Sequence, residues 1–341
     1  MCIQKARQAQ VVLMDILLQF SLVGLALKKD LYVAKVRSRL KYGNEIWGVE
    51  QSALGFSENE APWLRWLYGA TRRPRTEAIR WILQLQKVED ESLLAAFRFY
   101  GQTLCYGDEI EKNCMNYYKM RAHKYEDGWL HLLLLKLEKF KMIAPLFGSR
   151  TAALDWDGTN WKKMKKKAKC CLLQRSIEQL KNTLRTGKHR WLLEALPTYE
   201  SPRPFDRMVG SCLRHKTLAK WLISEHDLEV ETGRYKRLPR EQRHCKQCLQ
   251  KQNWTVVQDE YHLFGVQENG MECCIAEVER VIAKHEIEEI LAKEKVHEDE
   301  LCCLQESFKY LHKLDKKNNT IAWGSIADFI IAVAKEMDPE G

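Results

Sequence analysis

Residues Trp161 to Leu184, WKKMKKKAKCCLLQRSIEQLKNTL, decide the fold class. Trp161, Met164, Ala168, Cys171 or Leu172, and Ile177 recur at three- to four-residue steps, the spacing that lines one face of an α-helix. Six lysines (Lys162, Lys163, Lys165, Lys166, Lys167 and Lys169) fall within eight residues and cover more than one side of that helix. From Trp161 to Trp191 eleven basic residues stand against one acid, Glu178. A local charge of that size suits a polyanion, and backbone phosphate is the natural partner. Two blander uses of the same composition are a nuclear localisation signal and a solvated helix face.

Helical period continues on both sides. Leu31–Trp47 begins as a helix, Pro62 opens a second at its first turn, and Ala78–Gln86 forms a third. Glu91–Tyr106 and Trp129–Met142 follow, the latter ended by Pro145 and Gly148. Its apolar run Leu130–Leu135 marks it as a central helix. Phe205–Glu225, Ile275–Lys295 and Leu301–Leu314 are further helices, and Ser325–Asp328 reads as a capping box opening a last one to about Lys335. Strand signals are few: Trp254–Val257 and Tyr261–Val266 make one small hairpin, and Thr232–His244 reads as irregular. Eight Pro and seventeen Gly in 341 residues argue against a collagen-like, linker-rich or sandwich protein.

The net charge is +9, with a basic centre and an acidic stretch: Met271–Gly341 holds nine basic and sixteen acidic residues. Twelve cysteines include three adjacent pairs and repeat no secreted framework, so reduced thiols in a nuclear or cytoplasmic setting are expected. Val11–Leu27 is largely apolar but is interrupted by Asp15 and short for a span. A buried helix is expected there in preference to a membrane anchor.

No Asp-Asp pair, phosphate loop, dinucleotide fingerprint, zinc-protease helix or nucleophile elbow occurs, so no catalytic role is assigned. The sharpest local feature is Cys245-Lys246-Gln247-Cys248, followed after thirteen residues by His262. A two-residue step lets both thiolates reach one metal, and zinc takes four S or N ligands in a tetrahedron. Gln267 is a poor fourth ligand; Cys273 and Cys274 are better candidates, and His244 is a further one crowded against Cys245. Chance pairing of two thiols is the competing account. Upstream lies a basic arm, Arg234, Lys236, Arg237, Arg240 and Arg243, with Tyr235 among them. Such an arm suits phosphates and stacked bases, or simply a solvated loop.

The segment Glu231-Thr232-Gly233-Arg234-Tyr235 through Pro239-Arg240-Glu241 to Cys248, with Gln258-Asp259-Glu260-Tyr261-His262-Leu263-Phe264 after it, resembles the C-terminal region of LINE-type, non-LTR retrotransposon polyproteins. Leu40–Gly48 resembles the segment just after that family's reverse transcriptase palm, Leu64–Gly69 with Pro74 the helix beyond it, and Ile321–Ala334 its closing helix. The resemblance runs in family order from about Leu31 to Lys335. It implies thumb-like and template-binding helices followed by a zinc knuckle. Arg72, Arg73 and Arg75, the lysine run and the Arg234–Arg243 arm would be the nucleic-acid contacts. Two departures matter. The family's fourth ligand, five residues after the His, is Gln267 here, which implies an incomplete zinc site. The polymerase and endonuclease centres are absent from this stretch.

The expected fold is therefore mainly α, with helical thumb-like and extension segments and a small CxxC/His knuckle-like hairpin. Five segments are expected: an N-terminal apolar helix and thumb-like segment over 1–55, helices over 56–150, a basic helical region over 151–235, a degenerate knuckle over 236–275 and acidic helices over 276–341. The expected function is that of a non-catalytic fragment or relic, with low-specificity binding of RNA or DNA. Three rivals stand beside it: a helical scaffold binding a protein partner through Ile275–Leu314, a protein anchored through 11–27, and a product without selected function.

Overall fold

The computed structural model describes residues 2–19, 25–50, 54–70, 75–186, 189–199, 212–265, 272–297, 299–311 and 313–337. Among these every regular element is a helix, and an isolated antiparallel bridge joins His244 to Val257. The mainly α class is as expected. The chain groups into two compact units. The first comprises Met1–Ser21, Leu27–Leu64 and Leu85–Leu180; the second comprises Leu22–Ala26, Arg65–Gln84 and Lys181–Gly341.

The first unit is built on helices Val88–Tyr106 and Gly128–Lys139. Glu89, Asp90 and Glu91 occupy the first turn of the former, where negative charge meets the positive end of the helix dipole. Leu93, Ala96, Phe97 and Tyr100 face Leu130, Leu133, Leu134 and Leu137 in one core. The continuous apolar run is thus central, as its composition demanded. Helix Trp161–Arg185 closes the same core with Trp161, Ala168 and Leu172, while Met164 and Cys171 are half-buried. Its inner face is the one read from the sequence as far as Leu172; beyond it Ser176, Leu180 and Leu184 are buried and Ile177 is only half-buried. Gly101 makes the crossing possible, because a Cβ there would lie 2.3 Å from the Trp161 ring. Trp156 stacks on Phe97 at 6.3 Å, and the Tyr100 hydroxyl donates to the Ala153 carbonyl at 2.9 Å. Helix Glu109–Lys124 opens with a capping box between Asp108 and Glu111.

Helix Cys2–Gln19 buries Ala6, Ala9, Leu13 and Leu17 and leaves Val11, Val12 and Ile16 exposed. It is amphipathic, not buried on all sides. No helix among the described residues is long and apolar enough to cross a membrane. Residues 20–24 of the apolar stretch lie outside the described residues. The helix expected to begin at Leu31 begins at Leu25, widens to a π-helical turn over Val33–Arg37, returns to α over Ser38–Leu40, and is followed by a separate helix, Asn44–Glu50, after Gly43 at φ 71°. The wider turn ends on Arg37, which is buried between Glu60 at 3.4 Å and Glu91 at 3.6 Å. A charge buried with partners on two sides overrides regular helix geometry there.

In the second unit the core is aromatic. Trp191 stacks on Phe264 at 5.4 Å, Phe308 on Trp323 at 5.8 Å, and Phe329 meets Phe264 edge-on. Around it stand helices Cys212–Leu222, Glu277–Lys293, Leu304–Leu311 and Lys316–Met337. Residues 200–211, which the sequence reading placed partly in a helix, lie outside the described residues.

Boundaries differ from expectation by a few residues at Thr76–Leu83 and Leu304–Leu311, and more at the prolines and the last helix. Pro62 lies inside helix Leu54–Tyr68, and Pro145 inside the short helix Ile143–Phe147. The helix before Pro145 ends at Lys139, and the chain then reverses through Lys141 at φ 49°. The last helix does not open at Ser325. It starts nine residues earlier, where the Asp315 carboxylate accepts the Asn318 amide at 2.7 Å. Ser325 instead donates to Glu286 at 2.6 Å, and Asp328 pairs with Arg214, so the polar residues that resembled a start signal serve lateral contacts.

Candidate metal centre and basic surfaces

Cys245 immediately precedes helix Lys246–Gln252, and Cys248 lies in its first turn. The helix ends at Asn253, which takes the left-handed conformation at φ 51°, and the Trp254 amide donates back to the Cys248 carbonyl at 3.2 Å. The chain then runs extended beside its own approach. The Cys245 amide donates to Val256 O and the Gln258 amide to Arg243 O, both at 2.9 Å. This pairing returns the chain to Asp259.

The expected second strand is absent. Asp259 caps a short helix, Glu260–Phe264, accepting the His262 amide at 3.0 Å. An Asp at an N-cap satisfies amides that a strand would have to pair elsewhere, and here the cap prevails over aromatic strand propensity. His262 is therefore presented from a helix, not from a hairpin.

That helix brings the imidazole to the thiols. His262 Nε2 lies 3.3 Å from Cys248 Sγ, and Cys273 Sγ lies 3.7 Å from the same sulfur. The ligating atoms of Cys245, Cys248, His262 and Cys273 all stand within 4.8 Å of one another, and all four residues are fully buried. A tetrahedron with metal–sulfur bonds of about 2.3 Å has S–S edges of about 3.8 Å and S–N edges of about 3.5 Å. The separations from Cys248 match that shape closely, so the four side chains can hold a metal ion. The set has four members, not the three that the family pattern left. Cys273 supplies the fourth, and Gln267 lies outside the described residues. Cys274 reaches Cys248 at 3.4 Å but does not belong to the mutually close set. His244 is likewise outside it, engaged in the bridge to Val257.

The thiols polarise one another. A hydrogen bond from Cys273 outweighs burial and holds the Cys245 thiol down to about 4. The donated bond, with burial, pushes Cys273 up, and burial pushes Cys248 up to about 12.

Distant residues brace this group. Glu336, in the last helix, accepts the Ala276 amide at 2.5 Å and the Lys251 ammonium at 3.2 Å, and its carbonyl accepts Gln247 at 3.2 Å. It thus touches both the Cys245–Cys248 helix and the chain just past Cys273. Buried Arg280 pairs with Glu272 at 3.2 Å. On the other side His226 contacts Glu260 at 2.8 Å, joined by Ser224 at 3.1 Å. Burial raises the Glu260 carboxyl, but His226 and Ser224 hold it below the usual carboxylate range. No spacing in the sequence announced these partners, which stand 8 to 89 residues apart.

The basic residues divide into exposed and engaged. In the first unit Lys162, Lys163, Lys166, Lys167 and Lys169 are exposed and Lys165 is half-buried. In the second unit Arg234 pairs with Glu231 at 2.7 Å and lies over the Tyr235 ring, and Arg240 pairs with Asp259 at 2.5 Å. The Arg243 guanidinium donates to the carbonyls of Leu238 and Val230, so it holds the arm's shape. Gly233 lets it pass, since a Cβ there would lie 2.7 Å from Arg243 Cγ. Part of the stretch read as irregular is the helix Glu229–Tyr235 and a 3-10 turn, Arg240–Gln242. Lys236 and Arg237 project into solvent. Arg75 is exposed and donates to Thr183 O at 3.1 Å, while Arg72 and Arg73 lie outside the described residues.

No family model, curated protein or solved structure matches this chain.

Proposed function

We propose that this chain is a non-catalytic nucleic-acid-binding protein related to the C-terminal region of LINE-type retrotransposon polyproteins, with a structural zinc ion held by Cys245, Cys248, His262 and Cys273. The observation that supports the metal site is the buried Cys3His set, whose ligating atoms lie within 4.8 Å of one another; the resemblance to the family's knuckle rests on the spacing of Cys245, Cys248 and His262 alone. Three thiolates and one imidazole suit zinc, and a closed set of four protein ligands leaves no open position for chemistry. Cys245, Cys248, His262 and Cys273 would hold the ion, which would add folding energy to the segment; the arm before Cys245 is itself held by Arg243. The exposed cations of the lysine run, with Lys236 and Arg237, take phosphates of RNA or DNA with little base preference. A reducing compartment, the nucleus or the cytoplasm, fits the free thiols.

An electrophoretic shift assay over a salt series, with and without zinc, tests this. Replacing the six lysines Lys162–Lys169 by Gln should weaken single- and double-stranded probes alike and flatten the salt dependence. Each lost phosphate contact removes about 0.9 from the log–log slope on duplex DNA. Unchanged binding at low salt refutes the assignment.

One observation favours a second reading, a scaffold for a protein partner. Val278, Val281 and Ile282 lie on one face of helix Glu277–Lys293 and are more than half exposed. A stable protein complex lost on Val281→Asp, with no nucleic-acid binding by the parent chain, would select it.

A further inference from the structure

Helix Glu109–Lys124 buries only Met115 and Ala122 and turns rings to the solvent. Tyr106, just before it, is 65% exposed; Tyr117 is 52%, Tyr118 39%, and Tyr125, just after it, 58%. Tyr117 lies two turns beyond Ile110, itself 74% exposed, so the apolar surface runs along the helix. A surface helix with its larger rings outward has the reverse of the usual burial pattern, and such a patch marks an interaction site.

Cations already sit on these rings. The Arg121 guanidinium lies 5.9 Å from the centre of Tyr117, and the Lys124 ammonium 5.2 Å from that of Tyr125. Arg121 is fixed by Asp127, whose carboxylate accepts its Nε at 2.9 Å. The lysine run belongs to the same unit and starts close by in packing terms. Lys119 of this helix donates to the Trp156 carbonyl, and the Trp156 ring lies 6.1 Å from Trp161, the first residue of the lysine helix. Tyrosine rings interleaved with cations, beside a phosphate-seeking helix, have the makeup of a single-strand platform. Every base has a face to stack, and each phosphate a cation to meet. What favours a nucleic acid over a protein is the exposed lysine run in the same unit, a phosphate-seeking neighbour that a protein interface does not require.

We propose that Tyr117, Tyr118 and Tyr125 form a stacking face for the unpaired bases of a single-stranded nucleic acid. This rests on the nucleic-acid reading above and adds its strandedness and a surface that the basic residues alone do not define.

The test is fluorescence anisotropy on the full chain with three labelled probes of equal length: an oligothymidylate, the same strand without bases, and a duplex. The parent chain should prefer oligothymidylate over the abasic strand by about tenfold, the scale of one or two stacked bases. Tyr117→Ala with Tyr125→Ala should remove that preference and leave abasic and duplex binding as they were. Tyr117→Phe with Tyr125→Phe, which keeps the rings, should restore it and controls for folding. Equal binding of the oligothymidylate and abasic strands by the parent chain overturns the proposal, as does an alanine pair that keeps the preference. In either case the lysine replacements still weaken all three probes, so the general reading survives. Failure of the parent chain to bind any probe overturns both. An alanine pair that loses a protein complex while keeping all nucleic-acid binding assigns the face to a protein and overturns the proposal.

Discussion

Replacing Cys273 by Ser removes one of the four proposed metal ligands by exchanging a single side-chain atom. Structural zinc in small domains binds with about 10–16 kcal/mol at neutral pH. Shared among four ligands, that is about 2.5–4 kcal/mol each, or about two to three decades in Kd. The equal share is a fair start here, because all four side chains are fully buried and none is a loosely held outer ligand. Cys274→Ser is the decisive companion. Its sulfur is as near to Cys248, at 3.4 Å, as that of Cys273, at 3.7 Å, yet it lies outside the mutually close set. Competition between the protein and a chromophoric chelator, under reducing conditions, gives both constants. Cobalt in place of zinc reports the number of thiolates through its charge-transfer absorption. Cys273→Ser should lose about 100- to 1000-fold and one thiolate, and Cys274→Ser less than tenfold and none. Equal losses from the two, or metal binding by Cys273→Ser within tenfold of the parent chain, refutes the geometric assignment.

Gly101→Ala should destabilise the first unit by about 1–3 kcal/mol, because its Cβ would meet the Trp161 ring at 2.3 Å; denaturant unfolding measures this. A second change, Trp161→Leu, should recover part of the loss, and strict additivity of the two would contradict the crossing. Glu336→Ala removes the acceptor shared by Ala276 and Lys251 and should weaken metal binding about 10- to 100-fold, the scale of an outer-sphere support, in the same chelator competition. Mixing in Glu336→Gln, which keeps an acceptor oxygen, should give an intermediate constant.

Helix Trp161–Arg185 was readable because its period, length and inner residues agree with one another, so local propensity and packing point the same way. Residues 325–328 misled because Ser and Asp are ambiguous: they cap helices, but on a helix flank they also bond sideways, as Ser325 does to Glu286. The true cap, Asp315, has the same chemistry and no louder signal. At the metal centre the CxxC step and His262 were readable from spacing, since a knuckle is local. Cys273 was only one candidate of several, because ligands joined by a long connection are selected by tertiary packing. The hairpin failed where a single Asp259 side chain redirected the chain into a helix. Arg243 shows the other limit: composition counts a charge, but only geometry reveals that this one faces main-chain carbonyls.

The contact of Glu336 with Ala276 and Lys251 has a consequence in time. The ribosome makes Cys245, Cys248, His262 and Cys273 first, and Glu336 more than sixty residues after the last of them. At elongation rates of about 5–20 residues per second, several seconds separate the ligands from the residue that braces them. The contact that spans both sides of the Cys3His group is therefore the last to be made, and nascent chains arrested before Glu336 should hold added zinc more weakly than chains extended past it.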